Sequence, residues 1–532
     1  MKLLKNSILG FVALGATLMT SSCDSFLKEY SQDLTKVESW QDLDEVLLGA
    51  GYVHTGAMTS SGDELTENFD ILHIMGDEMR LTGLTDNDRF SLSTDYFAFF
   101  TWQQDTGVDN TFKYMGYDSK FFDDLYSRIN VCNMVIGTID DTPETGRTDA
   151  ESKERVKGEA HYLRGVYYFM LANLYCPPYN PTDADSQMGM PIKFTEFIED
   201  IEFQRSTLKE TYESIISDLE KAEEYLDGKT RKSIYHANQL AARLMLARVY
   251  LYMQDWNKAA EYANMVINEQ PSLLNITSVA QGNDCLYGTS PETIFTMGGY
   301  GIAASFADID GGWWGITPCA WYLTDEMLGQ YADNDARKNR YIGESEINRA
   351  PKVFKKVNGQ YSAWGKTNTV GSTFLLRTPE AYLILAEASA YNGDNGNAQD
   401  ALQKFMKTRY TGNVSVSQTG TELIQLIRDE RCREFLLEGH RWFDLRRYTV
   451  NQVFPWSKEI IHAYPVFGGD WNDFQNFSLY RLEPNDPAYT LPLPRSVRQQ
   501  QTTIGSWERP SRQAFGTADL DYFGDEAFEN EW

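Results

Sequence analysis

The chain has no second long apolar run after Met19, no C-x-x-C pair, and far fewer basic than acidic residues. Each shortage removes a class of function. Without another long apolar run, the sequence predicts no membrane-spanning helix. Six cysteines are present, and apart from Cys23 they are Cys132, Cys176, Cys285, Cys319 and Cys432. Five widely spaced cysteines signal neither a zinc site nor a dense disulfide framework, and they read as buried small hydrophobes. With 48 basic and 76 acidic residues the formal charge is −28, a surface that repels phosphate backbones and argues against nucleic acid as a partner. Nothing resembles a nucleophile elbow, a His-Glu-x-x-His helix or a phosphate-binding loop, so the sequence gives no catalytic residues, metal or cofactor. A glycosidase needs two carboxylates roughly 5 to 10 Å apart, but among so many acids some pair always meets that spacing. Asp183-Ala184-Asp185-Ser186-Gln187 has part of a calcium loop's acidic spacing, yet lacks its sixth-position glycine and closing glutamate, and reads as a solvated turn.

What is present begins at the first residue. Lys2 and Lys5 precede an apolar run from Ile8 to Met19, followed by Thr20-Ser21-Ser22-Cys23-Asp24. Small residues and a cysteine after a secretory core form a lipoprotein signal, with residues 1–22 removed and Cys23 acylated. Thr20 stands where such signals usually carry leucine. The run of about a dozen residues is too short to cross a bilayer. The mature chain is expected outside the cytoplasm, held by lipid.

Helical periods recur along the rest. From Glu154 to Tyr175, Val156, Ala160, Leu163, Tyr167, Met170 and Leu174 return every three or four residues, predicting one stripe toward a core, and Pro177-Pro178 ends it. His236–Met253 and Asn257–Ile267 carry small residues (Ala241, Ala242, Ala247, Ala259, Ala260, Ala263) that let two antiparallel helices approach, with Tyr250 and Trp256 filling around them. This resembles a tetratricopeptide helical hairpin. Pro379–Lys407 repeats it around Asn392-Gly393-Asp394, and Thr207–Leu226 adds an amphipathic helix. The repeats are unevenly spaced. Irregular stretches at about 54–120, 271–320, 341–373 and 450–502 predict insertions in a mainly all-α scaffold, with residues 23–532 as a single domain.

The segment Ile427 to Arg447, IRDERCREFLLEGHRWFDLRR, resembles the hallmark of the SusD/RagB family of Bacteroidetes outer-membrane lipoproteins. Further matches follow in order: Cys23-Asp24-Ser25-Phe26-Leu27, Gly158-Glu159-Ala160, Asp218-Leu219-Glu220-Lys221-Ala222, Pro291-Glu292-Thr293-Ile294-Phe295, Asp335-Ala336-Arg337 and Leu376-Arg377. The ending departs from the family: Pro492-Leu493-Pro494 is followed by no Asn-Pro, and a tail carries Asp519, Asp521, Asp525, Glu526, Glu529 and Glu531 without a basic residue. The resemblance implies a non-catalytic surface protein that captures polysaccharide or oligosaccharide and passes it to a SusC-like TonB-dependent transporter. A peptide-binding member, a surface hydrolase and a helical adaptor are the rival readings.

Within the hallmark, Glu434, Glu438, Arg441 and Arg447 are expected to pair along helical turns while Trp442, Phe443 and Leu445 pack. For the ligand, the 13% aromatic content, including 12 Trp and 31 Tyr, points to rings held out from Gly- and Asp-rich loops. Between Thr296 and Tyr322 the candidates are Tyr300, Trp313, Trp314 and Trp321. Trp102 is a further candidate, because the resemblance implies an aromatic from this part of the chain in the binding cradle. Phe97, Phe99 and Phe100 are read as core. A third cluster, Trp456, Tyr464, Phe467 and Trp471, could serve ligand or transporter.

Overall fold

A computed structural model of the chain describes residues 37–53, 69–81, 96–197, 201–298, 321–344, 374–468 and 474–519, with residues 306, 309–310, 316–317, 353–354, 356, 370 and 522. Its long helices are α1 (Lys120–Thr138), α2 (Arg147–Tyr175), α3 (Leu208–Tyr225), α4 (Gln239–Met253), α5 (Trp256–Glu269), α6 (Thr378–Tyr391), α7 (Asn395–Met406), α8 (Gly420–Glu434) and α9 (Arg441–Thr449). The starts are set by side chains that satisfy the first free amides. Thr207 and Glu210 form a capping box at α3, Asn238 accepts from the Ala241 amide, Asp255 from Lys258, and Asp394 from Asn397. Helix α2 ends at Cys176, before the two prolines.

Consecutive helices from α1 to α7 pack pairwise, and α8 joins them on α6. Helix α5 packs on α6 across more than a hundred intervening residues, so the sequence between them is looped out of the stack. The alanines do what their spacing predicts: Ala241, Ala242, Ala247, Ala259 and Ala263 are fully buried. Trp256 closes the seam against Tyr391 at 5.2 Å between ring centroids. Between α2 and α3 glycine is required: a Cβ on Gly158 would lie 2.8 Å from Leu226 Cγ.

Helix α2 departs from the one-stripe expectation. Every residue from Gly158 to Tyr175 is buried. Its polar face is covered because its charges are met: Arg164 and His161 share Asp218, and Arg155 binds Asp44 while Tyr52 donates to Glu159.

The strands are short. β1 (Met79–Leu81) pairs antiparallel with β3 (Trp321–Leu323), and β2 (Thr293–Phe295) with β4 (Leu376–Arg377). A three-stranded antiparallel sheet comprises β5 (Ile460–Phe467), β6 (Phe474–Leu482) and β7 (Gly516–Ala518), with β6 central. This sheet corrects the reading of 450–502 as irregular. On β5 the usual alternation is inverted, since Ile461 is 39% exposed while His462 is 3% exposed. No helix among the described residues is long and apolar enough to cross a membrane.

Candidate functional site

The hallmark segment forms α8, a turn through Gly439 and α9, and its charges lie inside the protein. Glu434 accepts from Arg409 Nε at 2.9 Å and Nη2 at 2.8 Å, from Arg337 Nη1 at 3.2 Å, and from Arg377. Glu438 accepts from Arg377 Nε at 2.8 Å and Nη2 at 2.6 Å, and from Lys356. Arg447 donates to both oxygens of Glu387 at 2.7 and 2.8 Å and to Asp444 at 2.7 Å. All of these are buried.

Pairing along helical turns holds for Arg433 with Glu430 and Arg447 with Asp444. For Glu434, Glu438 and Arg441 the partners lie on distant elements, which corrects the local reading. Burial opposes ionisation of Glu434, but the surrounding guanidinium groups outweigh it and hold the carboxyl well below its usual range. Burial and nearby cations push His440 well below the usual imidazole range, so it stays neutral. It stacks on Phe435 at 4.3 Å and borders a small, partly open cavity of about 30 Å³ beside Tyr162, Arg248, Tyr252 and Glu438. That volume holds about one water molecule. These groups are arranged to lock α8 and α9 to the scaffold, as the sequence reading of a buried network expects.

A second opening is an open cleft of about 510 Å³ walled by three stretches, Asp77–Arg80, Thr324–Glu326 and Lys458–Ala463, with Tyr522 at its edge. Local chemistry fixes each wall. Thr324 starts the short helix Asp325–Gly329 by accepting from the Met327 amide at 3.2 Å, and donates its hydroxyl to Asp77 O at 2.8 Å. Arg441, from the hallmark, grips Asp77 through Nε at 2.7 Å and Nη2 at 2.6 Å, while Lys458 donates to Asp77 at 2.8 Å. Although burial opposes its charge, these cations hold Asp77 far below the usual carboxylate range.

Behind the cleft stands His462. Phe100 stacks on it at 4.1 Å and Trp102 at 4.2 Å, and its ring nitrogens lie 2.6 Å from Phe100 O and 2.8 Å from Gly76 O. Burial pulls its pKa down to about 4. Trp102 holds a left-handed backbone, φ 52°, uncommon for a bulky residue, and donates Nε1 to Met75 O at 3.0 Å.

These positions correct two expectations. Trp102 is 0% and Trp321 1% exposed. Trp321 sits in β3 opposite Leu81 and edges against Phe100 at 5.2 Å. A ring with no free face cannot stack on a ligand, so both support the cleft from behind. Tyr300, Trp313 and Trp314 lie outside the described residues, as do Cys23 and Trp471. Phe97, Phe99 and Phe100 are buried as expected. The third cluster separates: Tyr464 packs into the interior against Phe97 at 4.9 Å, while Trp456 lies beside Tyr448 at 6.4 Å. Asp185 of the acidic turn is met by Lys209 at 3.0 Å, and no group of three His, Cys, Asp or Glu with metal-holding geometry occurs among the described residues. The sequence reading missed Asp77, Arg80, Glu326 and Lys458, whose only signal was their charge.

Comparison with known proteins gives a consistent result. A family model described as starch-binding associating with outer membrane matches residues 57–251, and the SusD family model matches 310–505. SusD-like protein P2 of Formosa agariphila is 24% identical over 388 residues, covering 64% of this chain and 73% of the relative. SusD-like protein P38 of the same organism is 21% identical over 506 residues, covering 84% and 92%. Among solved structures, a putative sugar binding protein from Bacteroides vulgatus aligns with TM-score 0.66 at 22% identity over 89% of this chain and 99% of its own. A SusD superfamily protein from Bacteroides thetaiotaomicron aligns with TM-score 0.66 at 21% identity over 88% and 100%.

Proposed function

The chain belongs to the SusD/RagB family, and from that premise we propose that it is a surface lipoprotein that captures a polysaccharide or oligosaccharide and delivers it to a SusC-like TonB-dependent outer-membrane transporter. The family match over 57–251 and 310–505 carries this reading, and the description of the first model supports carbohydrate binding at the outer membrane. The cleft supports it as well. Asp77, Arg80, Glu326 and Lys458 offer acceptors and donors of the kind sugar hydroxyls use, and the 44% exposed ring of Tyr522 offers a face. The sugar lies in this cleft, with Tyr300, Trp313 and Trp314 as additional stacking rings from the stretch between Thr296 and Tyr322. Cys23 carries the lipid, and residues 23–532 act as one capture domain on the exterior face of the outer membrane.

A binding role is favoured over hydrolysis because the hallmark acids Glu434 and Glu438 are buried and saturated by arginine and lysine, leaving neither free to exchange a proton with a substrate. Affinity electrophoresis of the mature chain against a polysaccharide panel, with a reducing-end assay alongside, tests the proposal. Retardation by at least one glycan without release of reducing ends is expected. Release abolished by replacing a single carboxylate would overturn it.

A further inference from the structure

Resting on that capture reading, we propose that the exposed face of the three-stranded sheet is a second carbohydrate subsite, continuous with the cleft, where Phe515 stacks on a sugar further along the same chain. The ligand class that follows is an extended oligosaccharide or polysaccharide held at two places.

The sheet carries a row of side chains that its own packing does not require. Ile461 lines the cleft and is exposed where the next residue, His462, is buried. Its direct cross-strand partner on β6 is Arg481, so the two share one face of the sheet. Phe515 stands just before β7, its amide donating to Leu479 O at 2.9 Å, and the Arg481 guanidinium lies over its ring at 4.3 Å. Adjacent strands are about 4.8 Å apart, so the row from Ile461 through Arg481 to Phe515 reaches about 10 Å from the cleft wall. That is the span of a short run of sugar rings.

Phe515 is built for display. Its ring is 48% exposed, yet the cation–π contact with Arg481 fixes its orientation before any ligand arrives, which lowers the ordering cost of binding. The C–H face of a sugar ring stacks on such a surface. Polar partners for its hydroxyls stand alongside. Arg481 faces Glu459 at 3.1 Å and Glu483 at 3.5 Å, and both glutamates are exposed. Solvent-open ion pairs of this kind are worth less than about 1 kcal/mol, so their donors and acceptors turn to hydroxyls at little cost. Glu459 also belongs to the cleft wall, and so joins the two subsites.

The test is isothermal titration of the mature chain with cello-, xylo-, malto-, manno- and laminari-oligosaccharides, each from disaccharide to hexasaccharide, beside affinity electrophoresis on the parent polysaccharides. In at least one series the affinity of the unaltered protein should rise with chain length. Phe515→Ala should lower its hexasaccharide affinity about tenfold, the loss of one stacked aromatic, with the loss shrinking toward the disaccharide and the melting temperature unchanged. Phe515→Trp should retain the dependence on length, and Arg481→Gln should weaken the longer members most. An unchanged hexasaccharide affinity in Phe515→Ala, an equal loss at every length, or a parent affinity that is flat with length overturns the second subsite and leaves the capture reading standing. Failure of the unaltered protein to bind any oligosaccharide or polysaccharide of the panel overturns the capture reading and the subsite with it.

Discussion

Trp102 stacks on His462 with 4.2 Å between ring centroids and an interplanar angle of 24°, and only the histidine reaches the cleft wall. The tryptophan thus acts on the cleft through a neighbour. Phe100 presses on the opposite face of His462, so the imidazole is held between two aromatic planes with its nitrogens against backbone carbonyl oxygens.

This arrangement separates two kinds of tryptophan. Trp102→Ala removes a fully buried ring and its hydrogen bond to Met75 O, and is expected to lower stability by about 3–5 kcal/mol. Glycan retention should fall in the same experiment because His462 loses its support. Trp313→Ala and Trp314→Ala, in the proposed stacking loop, should weaken retention while leaving the melting temperature nearly unchanged. Thermal denaturation beside affinity electrophoresis checks both; a Trp102→Ala protein of unaltered melting temperature would contradict the packing role.

The arginine–carboxylate network predicts a strong asymmetry between its members and the surface. Replacing Glu434 with glutamine leaves Arg337, Arg377 and Arg409 sharing fewer buried counter-charges, and should cost about 3–5 kcal/mol. Replacing Arg147, whose pair with Glu151 is solvent-exposed, should cost less than about 1 kcal/mol. Urea unfolding of the two variants measures the contrast.

Much of the scaffold was legible because it is built from local periodicity. The helices around Ala242, Ala259 and Ala386 appear where their small and large residues alternate, and Thr207 starts α3 where its capping pattern predicts. Helix α1 was not read, although Phe121, Leu125, Ile129 and Cys132 face inward at helical spacing, because it borders the long aromatic insertion. The cleft was not legible. Its walls come from three separate stretches, and Asp77, Glu326 and Lys458 become a group only through Arg441 and Thr324. Trp321 was read as a displayed ring from the composition of its loop and Trp102 from the family resemblance, and neither signal reports which side of a wall a ring occupies.

Acid should unfold the protein early. His462 titrates at about 4 when folded and near 6.5 when unfolded. Between those values the unfolded chain binds the extra proton, so stability falls as pH drops through that window, by about 3 kcal/mol at pH 4. The depressed carboxyls Glu387, Glu430, Glu434 and Asp444 add to this at lower pH: their contribution is full above the unfolded values, near 4.5 for the glutamates and 3.8 for Asp444, and is lost as pH falls through their folded values. Urea midpoints from pH 7 to 4 should decline steadily, and His462→Gln should flatten the upper part of that decline. A parent protein equally stable at pH 7 and 4.5 would refute the assignment.

Gly158 tests whether the cleft depends on the helical stack or only on its own loops. It lies on α2 where Leu226 and Tyr225 approach so closely that an added Cβ would sit 2.8 Å and 2.9 Å from their atoms. Gly158→Val must push α3 outward, at a cost of about 1–3 kcal/mol. The cleft walls, Asp77–Arg80, Thr324–Glu326 and Lys458–Ala463, run along β1, β5 and the helix after Thr324, none of which packs substantially on α2 or α3, and their anchors are Arg441 and Lys458 on Asp77. The variant should therefore melt several degrees lower yet keep its affinity for a retained glycan when measured well below the melting transition. Loss of affinity in a still-folded protein would mean that the helix seam itself sets the geometry of the cleft.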